Sequence, residues 1–128
     1  DLAYGSLMMD ILAFLETRIA AAREAGIDEE NILIDPGVGF GKTVEDNLAI
    51  LLRLRELTTL GRPVLVGPSR KAFIGRITGK DASDRLAGTA AAVAAAVLNG
   101  AHAVRVHDVA FMRDVVRTAD AVRGRSLP

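Results

Sequence analysis

Three short stretches of this chain carry side chains that could do chemistry, and each sits at or just beyond an apolar run. Asp35 follows Ile32-Leu33-Ile34, Ser69-Arg70-Lys71 follows Val64-Leu65-Val66, and His107-Asp108 closes Ala103-Val104-Arg105-Val106. A carboxylate at the end of an apolar strand can accept two parallel N–H bonds. That is the edge a guanidine-like heterocycle such as a 2-aminopyrimidinone presents. Lys71, Arg105 and His107 together suit an anion such as a phosphate or diphosphate. Arg105 and His107 lie two apart, so on an extended strand they share a face opposite Val104 and Val106. A cation between two valines of a buried strand is costly without a fixed anionic partner, which favours a binding role for the pair.

Each group also has a plainer reading. Asp35-Pro36 can simply open a turn, Lys71 can be a solvated surface charge, and Arg70 can form a structural ion pair. His102 starts its run beside Ala101 and reads as structural. The glycines at 37, 39 and 41, with Lys42 after them, invite a nucleotide-binding reading that their spacing rejects. A P-loop needs its first glycine where Pro36 stands, and the dinucleotide fingerprint does not run at intervals of two. The loop is either a tight strand-to-helix turn or a bare backbone that lets a flat ligand approach, with Phe40 as an aromatic wall. With two His and no Cys, no protein-only transition-metal site is expected, and no metal ligand is assigned.

The elements that must hold these groups follow from periodicity. Residues 7–25 repeat Ile11, Phe14, Leu15, Ile19 and Ala22 at helical spacing, and Gly26 stops them. Residues 32–34 read as a buried strand. Thr43 and Asp46 form a capping box for a helix that presents Leu48, Leu51, Leu52 and Leu54 and runs to Leu60. Residues 63–67 make a second strand with Pro63 at its first position, where proline is tolerated. Ala72-Phe73-Ile74 reads as a short apolar turn, and Ser83 as the cap of an Ala-rich helix ending at Asn99-Gly100. Residues 103–106 form the third strand, residues 110–122 the last helix, and the tail beyond Gly124 is expected to fray. Strands alternating with helices every 30 to 40 residues give an α/β fold with parallel strands and crossover helices. In such folds ligands bind beyond the carboxyl ends of the strands, where all three groups lie.

Composition narrows the classes. The chain has 128 residues, half of them hydrophobic, which excludes a disordered tail. Sixteen basic residues balance sixteen acidic ones, so no net field recruits nucleic acid or an anionic membrane. No uncharged apolar run is long enough to span a membrane, and no basic-then-apolar leader opens the sequence. A cytoplasmic protein is the expectation.

DPGVGFGK at residues 35–42, SRKAFIG at 69–75 and RVHDV at 105–109, in this order and spacing, resemble dihydropteroate synthase, a pterin-binding TIM-barrel family. The resemblance runs from the opening helix nearly to the end. It implies that residues 1–128 are the C-terminal portion of a (β/α)8 barrel, with three strands and about four main helices, in a longer polypeptide. It implies condensation of 7,8-dihydropterin-6-ylmethyl diphosphate with p-aminobenzoate, releasing diphosphate, in folate synthesis. Asp35 would hold the pterin edge and Lys71 would contact the pterin ring. Arg105 would stack over the ring and line the diphosphate pocket with His107, while Phe40 and Ser69 would lie on the p-aminobenzoate side. Lys71, Arg105 and His107 would carry the catalysis. Mg2+ would be held by the missing N-terminal part, the partner would be a second copy in a homodimer, and this segment alone would be inactive. The alternatives are the pterin-binding domain of a methyltetrahydrofolate methyltransferase and a non-catalytic association fragment.

Overall fold

The computed structural model describes the backbone of residues 2–124 and the side chains of residues 6–124. Five α-helices alternate with a short parallel ladder: α1 (Leu2–Glu24), α2 (Val44–Leu52), β1 (Leu65–Val66), α3 (Ala72–Thr78), α4 (Leu86–Leu98), β2 (Ala103–Val104) and α5 (Val109–Val122). Leu65 pairs with Ala103 and Val66 with Val104, while Ile34 makes a single parallel bridge to Val64. The spatial order is therefore Ile34, β1, β2, with all chains running the same way. The fold is α/β, with parallel strands joined by crossover helices.

The sequence-level elements are largely present, with four physical corrections. Residues 32–34 are not a buried strand. β1 has partners on both sides, since Leu65 N–H donates to the Ile34 carbonyl at 2.8 Å and Ala103 N–H to the Val64 carbonyl at 3.2 Å. Ile34 bonds only towards β1, and Leu33, on the other side of the chain, is 57% exposed. On the helices, Phe14, Leu48 and Leu52 lie outside the packed faces, and the burial falls on Met8, Leu15, Ile19, Leu51 and Leu54. Ala72-Phe73-Ile74 is no turn but the first part of α3, which buries Phe73 and Ile74. Ser83 does not cap α4. Its N–H is instead accepted by Asp81 at the head of a single 3₁₀ turn, and α4 begins from Arg85 without a side-chain cap.

Two local expectations appear as drawn. Thr43 Oγ1 accepts from Asp46 N–H at 3.0 Å, and Asp46 Oδ2 accepts from Thr43 N–H at 3.2 Å, so a capping box starts α2. The helix then tightens into a 3₁₀ segment, Leu54–Leu60, ending at Gly61. The larger core gathers Ile34, Val64 and Val66 with Ile50, Leu54, Leu57 and Phe73, and a smaller one joins Val93 and Val97 of α4 to Met112 and Ala119 of α5. The tail beyond Gly124, expected to fray, lies outside the described residues.

Candidate active site

Because the ladder is parallel, the three chemistry-bearing stretches leave from the same edge. At the centre, β1 runs into the Pro68–Lys71 turn, closed by Lys71 N–H donating to the Pro68 carbonyl at 3.2 Å. Arg70 occupies its third position with φ +58°, the one non-glycine residue described with a positive φ. Left-handed backbone costs such a residue roughly 1–2 kcal/mol. Three ties offset it. Arg70 N–H donates to Thr89 Oγ1 at 3.0 Å, its carbonyl accepts from Arg85 Nη1 at 2.9 Å, and its Nη2 pairs with Asp108 Oδ1 at 3.0 Å. The structural ion pair expected of Arg70 is the last of these.

Reversing the chain at Arg70 sends its two neighbours to different partners. Ser69 is buried, and its Oγ accepts from His107 N–H at 3.1 Å and lies 2.7 Å from His107 Nδ1. Oγ has one proton and a second lone pair, so it serves Nδ1 as donor or as acceptor. In either role the contact fixes the orientation of the ring and leaves Nε2 as the nitrogen without a partner among the described residues. Lys71 turns the other way, its Nζ 4.0 Å from the centroid of the Phe40 ring, in cation–π range.

The glycine loop is shaped around that lysine. A Cβ at Gly39 would lie 2.9 Å from Lys71 Cδ, and Gly39 also has φ +92°, so space and backbone both demand glycine. Asn47, 2% exposed on α2, accepts the Gly39 N–H through Oδ1 at 2.8 Å, and Lys42 Nζ ties the Gly37 and Phe40 carbonyls at 2.9 and 3.1 Å. Phe40 itself is 64% exposed, free to offer one ring face.

Arg105 lies over Gly67, with Nη2 3.3 Å from where a Cβ would stand. It is exposed, and among the described residues it makes no ion pair. The fixed anionic partner expected for a cation in a buried strand is absent because the strand face is open here. Asp35 is exposed too. Its Oδ1 accepts Gly37 N–H at 2.8 Å, so the turn reading is realised, and Oδ2 remains available. It borders a cavity of about 320 Å³ shared with Phe14, Pro36, Gly37 and Lys42. His102 Nδ1 accepts Val64 N–H at 3.0 Å, a structural role within the ladder.

The structure thus joins Phe40 with Lys71, and Ser69 with His107, on a shared rim with Arg105 and Asp35. Sequence reasoning missed Asn47, Thr89 and Arg85. Asn47 and Thr89 are polar residues on the inner faces of otherwise apolar helices, a signal that was legible. No local pattern marks Arg85.

The pattern of a family described as pterin binding enzyme matches residues 2–107. The chain belongs to that family. It is 45% identical over 120 residues to the dihydropteroate synthase of Synechocystis, covering 93% of this chain and 42% of that protein. The Bacillus subtilis dihydropteroate synthase is 43% identical over 93% of this chain and 42% of its own. Among solved structures, a Coxiella burnetii dihydropteroate synthase in complex with pteroic acid superposes with a TM-score of 0.92 at 36% identity, covering 94% of this chain and 45% of that one. The Xanthomonas albilineans enzyme in complex with 7,8-dihydropteroate gives 0.88 at 45% identity, covering 94% and 46%. The chain therefore spans less than half the length of each of these four relatives.

Proposed function

We propose that these residues form the carboxyl-terminal rim of a dihydropteroate synthase, working as part of a complete barrel. The single observation that carries the reading is the gathering of a flat-ring wall, a free carboxylate oxygen and three cationic or N–H-donating side chains beyond one parallel ladder. The relatives' names and the pteroate-bound neighbours support it. Asp35 Oδ2 accepts from the amino-pyrimidinone edge, and Lys71, steadied by Phe40, faces the pterin ring. Arg105, exposed and unpaired by any described carboxylate, stacks on the ring and reaches the diphosphate. His107 donates to the diphosphate from Nε2. The resemblance assigns Ser69 to the p-aminobenzoate side. Its hydroxyl is engaged with His107, which makes it first of all the residue that orients that ring.

The reaction breaks the bond between the pterin methylene carbon and the diphosphate oxygen, which keeps the electron pair. The arylamine nitrogen then bonds to the cationic methylene and loses a proton to solvent. Arg105, Lys71 and His107 lower the barrier by meeting the charge that builds on the leaving group. Mg2+, implied by the resemblance, would add charge neutralisation. Among the described residues no group of three His, Asp or Glu could hold a metal, so its ligands are assigned to the rest of the barrel and no step runs through it.

A cytoplasmic setting belongs to the proposal; no helix of the described residues is long and apolar enough to cross a membrane. The proposed homodimer is supported by exposed apolar residues such as Phe111 and Val122 on α5, and sedimentation of the full-length protein tests it. The deciding assay supplies the pterin diphosphate and p-aminobenzoate to the full-length protein and measures diphosphate. Release dependent on both substrates is expected. Methyl transfer to a corrinoid without diphosphate release would transfer the assignment to the methyltetrahydrofolate methyltransferases.

A further inference from the structure

We infer that Thr89, together with Arg85, is a positioning residue for this rim: the two hold Arg70 in the left-handed conformation that sends Ser69 to His107 and Lys71 to Phe40. The inference rests on the function proposed above.

Arg70 is the hinge between two residues that must diverge. Ser69 Oγ reaches His107 Nδ1 at 2.7 Å and Lys71 Nζ reaches the Phe40 centroid at 4.0 Å. With φ at an ordinary negative value, the Arg70 peptide would carry Lys71 away from Gly39 and Phe40 or pull Ser69 off His107. An arginine has no intrinsic preference for the left-handed region, so external bonds must select it. Thr89 is fully buried at the start of α4, and its Oγ1 takes the Arg70 N–H at 3.0 Å. Arg85 takes the carbonyl on the other side of the same residue at 2.9 Å. To arrive there its guanidinium crosses α3 at Gly75, where a Cβ would lie 2.7 Å from Cζ. Its Nε also donates to the Lys80 carbonyl at 3.2 Å, which braces the crossing. Both groups of the Arg70 backbone are thus held by residues of the α4 approach. Neither Thr89 nor Arg85 belongs to the set that meets the substrates.

The test measures KM and kcat for the pterin diphosphate in the full-length protein, with Thr89→Val made in two backgrounds. Valine keeps the shape and removes the acceptor. In the parent background KM rises about tenfold, whereas Thr89→Ser, which keeps the hydroxyl, stays within about twofold of the parent. With Arg70→Gly already present, glycine takes the left-handed conformation unaided, and adding Thr89→Val changes KM less than about twofold. A Thr89 that merely fills space would give equal effects in both backgrounds, and that result, or an unchanged KM in the parent, overturns the inference. If Thr89→Val does not fold alone, Arg85→Met is read through the same pair of backgrounds, with the same criterion. An unsubstituted protein that releases no diphosphate refutes the proposed function instead; turnover that both tethers leave untouched refutes only the positioning.

Discussion

Ser69→Ala removes one oxygen and with it two bonds to a single histidine, the His107 N–H to Oγ at 3.1 Å and Oγ to Nδ1 at 2.7 Å. A hydrogen bond contributes about 1 kcal/mol net, and an amide left without its acceptor costs more when it is away from water. His107 is exposed while Ser69 is buried, so water can replace the ring's partner but not readily the amide's. The expected loss is about 1–2 kcal/mol, read as a fall in the unfolding free energy of the full-length protein. The chemical consequence is sharper. With Oγ gone, nothing in the chain holds Nδ1, and the imidazole leaves the orientation that presents Nε2 for part of the time. Affinity for the pterin diphosphate falls about fivefold, corresponding to about 1 kcal/mol, while affinity for a pterin lacking the diphosphate stays unchanged. Long-range proton–nitrogen spectra of histidine-labelled protein show one dominant tautomer of the His107 ring while Oγ holds Nδ1, and a tautomer mixture after the substitution. A Ser69→Ala protein that keeps the parent tautomer and loses only p-aminobenzoate affinity would refute the reasoning, because Ser69 would then act on that substrate directly.

Four further outcomes follow from the same geometry. Gly39→Ala meets both a left-handed backbone and the Lys71 stem, so it destabilises by about 1–2 kcal/mol in urea unfolding and weakens pterin binding in calorimetry. Arg105→Ala leaves stability within about 0.5 kcal/mol, since its guanidinium holds no described ion pair, but lowers kcat/KM at least tenfold. Asn47→Leu removes the acceptor of Gly39 N–H and raises the KM for the pterin diphosphate about tenfold, with steady-state kinetics as the measure. The Ser83 hydroxyl and N–H bonds hold the Asp81 carboxyl below its ordinary value of 3.8, so its stabilising effect is present above that pH and is lost as pH falls through the lowered native value. Asp81→Ala should therefore flatten the acid limb of a stability profile followed by circular dichroism.

The parts of the fold that the sequence revealed are those set by local chemistry. The Thr43–Asp46 capping box and the glycine stops depend on residues within a few positions of one another, and they stand where periodicity puts them. The rim groups were legible because an apolar run followed by a charge has one simple reading in a parallel fold. What escaped depends on partners distant in sequence. Residues 32–34 shrink to a single bridge because only Ile34 finds a ladder partner, Val64, and periodicity cannot report partners distant in sequence. The helix at Ala72–Thr78 hid in a segment with only three consecutive apolar residues before its polar end. The roles of Thr89 and Arg85 rest on bonds 19 and 15 residues long in sequence; a polar residue on an apolar helix face marks Thr89 without naming its partner, and nothing local marks Arg85.

The Lys71 stem lying across Gly39 also bears on how such sequences can change. The two positions are 32 residues apart in the chain yet occupy one small volume. A side chain at 39 needs a shorter one at 71 and still meets the left-handed backbone, and shortening 71 first removes the charge that faces Phe40. Either order of events passes through a damaged intermediate. The glycine loop and the lysine turn are therefore expected to be inherited together as a unit. Grafting one without the other into a distant homologue should fail even where each graft is compatible with its own neighbours.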